Sequence, residues 1–139
     1  MHSDASDRRA RAGVTAFALC MAVVGALLLL APREMLPDAG RPVLVQLLGA
    51  ALLGYASANW IARGAALGGI YGRAVVAGNQ MHLMVGALLL LTQRAEIRGA
   101  PAAYWVLTVL YVLGAVFFTY LMFVSSGLRN NVGAKVQRN

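Results

Sequence analysis

The chain has 139 residues, of which 60% are hydrophobic and only 12% charged, with a net charge of +7. A water-soluble domain carries about 25% charged residues, so an ordinary soluble fold is excluded. The apolar residues fall into four blocks, at 13–32, 43–62, 74–92 and 102–124. Each has the ~20 residues that a helix needs to cross about 30 Å of hydrocarbon. Only a helix pairs all its own backbone polar groups in lipid, and alternating polarity is absent, so strands are excluded. The fold class predicted is all-α, an integral membrane bundle of four transmembrane helices.

Residues 1–12, MHSDASDRRARA, form a basic tail. The first span at 13–32 has the basic flank of a signal peptide, but its apolar run exceeds the ~7–15 residues of a signal core and no A-x-A cleavage site follows. It reads as a retained signal anchor. Cys20, the single cysteine, lies inside it; an internal disulfide and a C-x-x-C redox pair are excluded, and the residue reads as small apolar packing. The connection REMLPDAGRP (33–42) carries Pro37, Gly40 and Pro42, which end one helix and start the next.

The second span, 43–62, repeats small residues at Ala50, Gly54, Ala58 and Ala62, as the first does at Ala18, Ala22 and Ala26. Such small-xxx-small stripes let helix backbones approach closely in lipid. GAALGGIYG (64–72) fails the P-loop and G-x-G-x-x-G patterns and reads as a compact cytoplasmic turn. The third span, 74–92, sets Gly78 and Gly86 on either side of His82, which turns His82 toward a neighbouring helix. After QRAEIRGAP (93–101), Pro101 stands near the first turn of the fourth span, where its missing N–H costs nothing. Short connections make neighbouring helices antiparallel, up-down-up-down. Tyr104 with Trp105, and Trp60 with Tyr71, sit where aromatic belts form at the two interfaces. Residues 127–139 form a second polar, basic tail, and both tails are expected to be poorly ordered. The transmembrane domain is 13–126.

Topology follows from the cations. Arg8, Arg9, Arg11, Arg63, Arg73, Arg129, Lys135 and Arg138 fall on one side, and Arg33, Arg41, Arg94 and Arg98 on the other, eight against four. The positive-inside rule then puts both termini in the cytoplasm. Anionic lipid headgroups are the natural counter-charges; nucleic acid is excluded as a partner, because no soluble domain exists to present a basic face.

Polar residues concentrate around the second connection. Along an antiparallel hairpin rising about 1.5 Å per residue, Asn59 can face Asn79 and Tyr55 can face His82. Tyr111 and Tyr120 of the fourth span offer further hydroxyls from different faces. Polar groups inside a membrane are costly and mark function by default. Tyr55, Asn59, Arg63, Arg73, Asn79 and His82 are therefore the candidate ligand-binding residues, with the arginines at the mouth of a cytoplasm-facing pocket. The competing reading is that Asn59–Asn79 and Tyr55–His82 are interhelical hydrogen bonds, each worth about 0.6–2 kcal/mol, which fix the hairpin's register.

Known chemistries narrow the choice. No Asp or Glu lies within a span, against a proton-coupled exporter with a membrane carboxylate. A haem held between helices generally takes two axial ligands and only His82 is a histidine in a span, while a catalytic zinc needs three protein ligands. No cofactor, metal site or catalytic set is expected.

The stretch LLGAALLGYASANWIARG…YGRAVVAGNQMHLMVGALLLL (47–91) resembles small, uncharacterised four-span bacterial inner-membrane proteins, in which a Gly/Ala-rich helix ends in Asn-Trp-x-x-Arg and the next begins with Arg and a Gly-Asn pair near a His. The resemblance implies a fold and a multi-pass place in the bacterial inner membrane, and no activity. Arg73 and Asn79 faintly echo the four-span glutathione-transferase-like membrane enzymes, but the glutamate expected after that asparagine is absent.

Three functional readings follow, in order. The first is a non-enzymatic accessory or interaction subunit, homo-oligomeric or docked on another membrane protein, because so small a bundle exposes much Gly/Ala surface. The second is a binding or transport module whose pocket between the second and third spans takes a small lipophilic or anionic ligand. The third is a membrane enzyme acting on a lipid or quinone with His82 as acid/base.

Overall fold

The computed structural model describes residues 2–37, 40–64, 69–93 and 101–136, with side chains over 7–37, 40–64, 70–93 and 101–123. The described residues form α1 (His2–Leu30), a single turn α2 (Pro32–Met35), α3 (Pro42–Ala62), α4 (Gly69–Thr92) and α5 (Ala102–Val136). Four segments are long and apolar enough to cross a membrane: Asp7–Leu30, Pro42–Ala62, Ile70–Thr92 and Ala102–Phe123. Most of the second and third connections, at 65–68 and 94–100, lies outside the described residues, as do 38–39 in the first.

Prolines set the helix starts. Pro32 and Pro42 open α2 and α3, where a residue without an N–H is tolerated. Pro101 precedes α5, and its carbonyl takes the first bond, from Tyr104 N at 2.9 Å. Before α3 the chain turns at Gly40, φ +72°, in the left-handed region where a side chain is disfavoured.

The polar ends differ from expectation. The basic stretches at 2–12 and 127–136 are not loose tails; they continue α1 and α5 as helix. Neither contains proline, and loss of hydropathy marks where a helix leaves hydrocarbon, not where it must unwind.

Contacts between helices run in opposite order along each neighbouring pair. Met21 and Leu29 of α1 meet Asn59 and Gln46 of α3. Asn59 and Tyr55 meet Asn79 and His82 of α4, and His82 and Leu90 meet Tyr111 and Tyr104 of α5. Phe17 packs edge-on against Phe118 at 5.4 Å, which closes α5 onto α1. The result is an up-down-up-down ring with a core of Met21, Leu28, Leu52, Leu83, Phe118 and Leu121.

Glycines fix the closest approaches. A Cβ on Gly25 would stand 2.8 Å from the Gly49 carbonyl oxygen, and one on Gly49 would stand 2.7 Å from that of Gly25. Only two glycines let α1 and α3 meet backbone to backbone in this way. The small stripe expected to make that contact is not the one used. Ala50 and Gly54 face outward, with nothing within 4 Å of a Cβ on Gly54, whereas Val45, Gly49, Leu52, Ala56 and Asn59 face inward. Small residues permit contact on either stripe, and the larger apolar side chains beside Gly49 decide which one is buried.

Candidate functional site

The pair Asn59–Asn79 lies at the centre of the bundle, both residues 0% exposed. Each carboxamide donates to the other's oxygen at 2.9 Å, forming a closed cyclic pair. The second hydrogen of Asn79 Nδ2 goes back along α4 to the Val75 carbonyl at 2.8 Å. Asn59 Nδ2 also lies 3.6 Å from Met21 Sδ of α1. The two amides thereby use all four of their N–H groups inside the protein, and both oxygens are engaged.

One turn further along α4, His82 is held differently from the sequence-based expectation. Tyr55 does not hydrogen-bond to it; the two rings stack, 4.5 Å apart and inclined by 17°. The bond comes from α5, with the Tyr111 hydroxyl 3.0 Å from His82 Nε2. The hydroxyl donates when Nδ1 carries the imidazole proton and accepts when Nε2 does.

Gly86 makes this arrangement feasible, since a Cβ there would overlap the Tyr111 ring. The missing side chain one turn after His82 lets Tyr111 pass beneath α4. A histidine followed four residues later by glycine was the available signal for an aromatic partner from the next helix. Tyr120, the other hydroxyl considered, is 62% exposed and outside the group.

The arginines do not join this cluster. Arg63 follows the last turn of α3 and lies over the Trp60 ring at 3.8 Å, a cation–π contact. Its Nη1 is buried without a hydrogen-bond partner among the described residues. Arg73 is half-buried in α4. The six candidates therefore separate into a sealed amide pair, a ring stack and two cations near the helix ends.

Beside the stack, a groove of about 590 Å³ runs along the flank of the bundle between α3 and α4. Tyr55, His82 and Tyr111 form its polar part, and Leu48, Val85 and Leu89 its apolar length. It lies at half height along both helices rather than at a cytoplasmic mouth. Gly78 leaves it open, with no atom within 4 Å of where a Cβ would be.

Among the described residues, no group of three or more His, Cys, Asp or Glu side chains is placed to hold a metal ion. Tyr104, expected in an aromatic belt, is instead 4% exposed and donates to the Leu90 carbonyl. Trp60, Tyr71 and Trp105 are exposed near the helix ends. No family model, curated protein or solved structure matches the chain.

Proposed function

We propose that this protein is a non-catalytic, multi-pass subunit of the bacterial inner membrane that works through helix contacts with its own copies or with another membrane protein. The observation that carries this reading is the closed Asn59–Asn79 pair, fully buried and with all four N–H groups used inside the protein. Amides used in this way hold helices together and leave nothing to offer a substrate.

The outward stripe of α3 supports the same view. Ala50 and Gly54 are exposed, Ala58 is half-buried and Gly54 faces open space, a surface on which another helix can lie closely. The cations support a cytoplasmic position for both termini. In an up-down-up-down ring, the start of α1 with Arg8, Arg9 and Arg11 shares an end with Arg63 and Arg73, opposite Arg33 and Arg41. Anionic headgroups at that end are the expected counter-charges.

The test is the assembly state in native lipid, compared for the wild type and Gly54→Leu. A Cβ at this exposed position meets no atom within 4 Å, so the subunit should stay folded while its association with copies or partners weakens. Unchanged association would overturn the reading.

A further inference from the structure

The groove between α3 and α4 holds polar groups that the protein itself leaves unused. Tyr55 is half-buried, and its hydroxyl has no hydrogen-bond partner among the described residues. His82 spends Nε2 on Tyr111, and no described residue bonds to Nδ1. His82 lies roughly 15 Å from the Thr92 end of its span and roughly 18 Å from the Ile70 end, at about 1.5 Å per residue. Both groups thus stand near mid-membrane, where water is scarce and an unpaired polar group is costly.

Phospholipids do not supply the missing partner, because their headgroups and ester carbonyls stay near the interface, about 15 Å from the midplane of a ~30 Å core. The partner must dissolve in hydrocarbon and still carry a hydrogen-bonding atom to its centre. Among the described residues no charged side chain lines the groove, so that molecule is neutral. The polar end is made of rings, with Tyr55 stacked on His82 and Tyr111 tilted against it, a surface that favours a flat head offset over the rings. The remaining length, along Leu48, Val85 and Leu89, suits an apolar tail. Its volume of about 590 Å³ falls within the ~300–1,000 Å³ of small-molecule sites.

The second groove, between α1 and α3, makes a useful contrast. Ser57, its one hydroxyl, already donates to the Leu53 carbonyl at 3.0 Å. Trp60, at that groove's end, has its ring covered by the Arg63 guanidinium at 3.8 Å, so the polar groups there lie near the helix end and not at mid-membrane.

We infer that the α3/α4 groove binds a neutral, membrane-dissolved lipophile with a flat carbonyl-bearing head, of the quinone class. The Tyr55 hydroxyl donates to a head carbonyl, His82 Nδ1 faces the same head, and the tail follows Val85 and Leu89. This site is independent of the amide pair on which the subunit reading rests.

The chain has two histidines, His2 and His82, so ¹⁵N-histidine labelling reports on the groove with a built-in control. The full-length protein in nanodiscs of phosphatidylethanolamine and phosphatidylglycerol is titrated with ubiquinone-2. The His82 imidazole signal should shift saturably while His2 stays still. Tyr55→Phe keeps the stack and removes the hydroxyl, and should weaken binding about 2- to 12-fold, the equivalent of one hydrogen bond. Gly78→Leu adds bulk to the groove from a position where a Cβ meets no atom within 4 Å, and should abolish the shift with thermal unfolding unchanged. Three results would overturn the inference: no His82 shift, the same response in Gly78→Leu, or the same response to squalene, which has a polyisoprenoid tail and no carbonyl. A fourth is the break-up of an oligomer by Gly78→Leu, which would make a second copy the occupant.

Discussion

The α1/α3 and α3/α4 seams join helices of similar length and composition by opposite means. Across α1/α3 the backbones touch through Gly25 and Gly49, and the polar contacts are secondary: Gln46 Nε2 donates to the Leu29 carbonyl at 3.2 Å at the seam's edge, and Asn59 Nδ2 lies 3.6 Å from Met21 Sδ. Across α3/α4 the helices stand further apart, bridged by the amide pair and the Tyr55–His82 stack. In hydrocarbon no solvent drives apolar surfaces together, so association rests on close packing or on polar bonding. The first seam uses packing. The second uses bonding, and the space left beside its side chains becomes the groove.

The largest expected effect comes from breaking the packed seam. Gly49→Leu should destabilise the bundle by about 3 kcal/mol or more, because the obstacle is backbone, which cannot rotate away. Reversible unfolding in mixed micelles would measure it; a loss below about 1 kcal/mol would show that α1 and α3 do not meet at these glycines.

The bonded seam should respond cooperatively. Asn59→Leu or Asn79→Leu alone should cost about 1–3 kcal/mol, because each strands a buried carboxamide. The double variant should cost clearly less than the sum, since neither partner is then left unpaired. Strict additivity in the double-mutant cycle would mean that the two amides are not bonded to each other.

Smaller still is Tyr111→Phe, which keeps the ring under Gly86 and loses only the bond to His82. About 0.6 kcal/mol is expected from the same unfolding measurement. Replacement of Tyr55 by Phe should leave stability nearly unchanged, because its contribution is the stacked ring and its hydroxyl bonds no described residue. If Tyr55→Phe cost more than Tyr111→Phe, the hydrogen bond to His82 would have been assigned to the wrong helix. At the bottom of the scale, Gly54→Ala should be neutral or gain up to about 1 kcal/mol in the unassociated subunit, the ordinary benefit of removing glycine from a helix.

These residues show which parts of the site could be read from sequence. Asn59 and Asn79 were legible as a pair because each stands at a similar distance from the turn of one hairpin, and local geometry aligns them. Tyr55 and His82 were legible as neighbours for the same reason. Their mode of contact was not, because helical spacing gives register without side-chain rotamers, and the partner that bonds His82 comes from α5. The burial of Tyr104 escaped in the same way. An aromatic residue near a helix end can serve an interface or donate inward to a carbonyl such as that of Leu90, and only the position of the neighbouring helix separates the two.

By itself the sequence determined the all-helical class and the four segments long and apolar enough to cross a membrane, because hydrocarbon leaves the backbone no other way to pair its polar groups. It also put Asn59 and Asn79 within reach of each other, since proximity along a hairpin is a local property; that they bond each other is a finding of the structure. The tertiary structure alone decided that α1 and α3 meet at Gly25 and Gly49 instead of on the Ala50/Gly54 stripe. It also decided that Tyr111 bonds His82 through the gap at Gly86, and that a groove remains beside them. Each of these depends on how helices rotate about their axes when they pack. Spans rich in Gly, Ala and Leu carry too little asymmetry for composition to set that rotation.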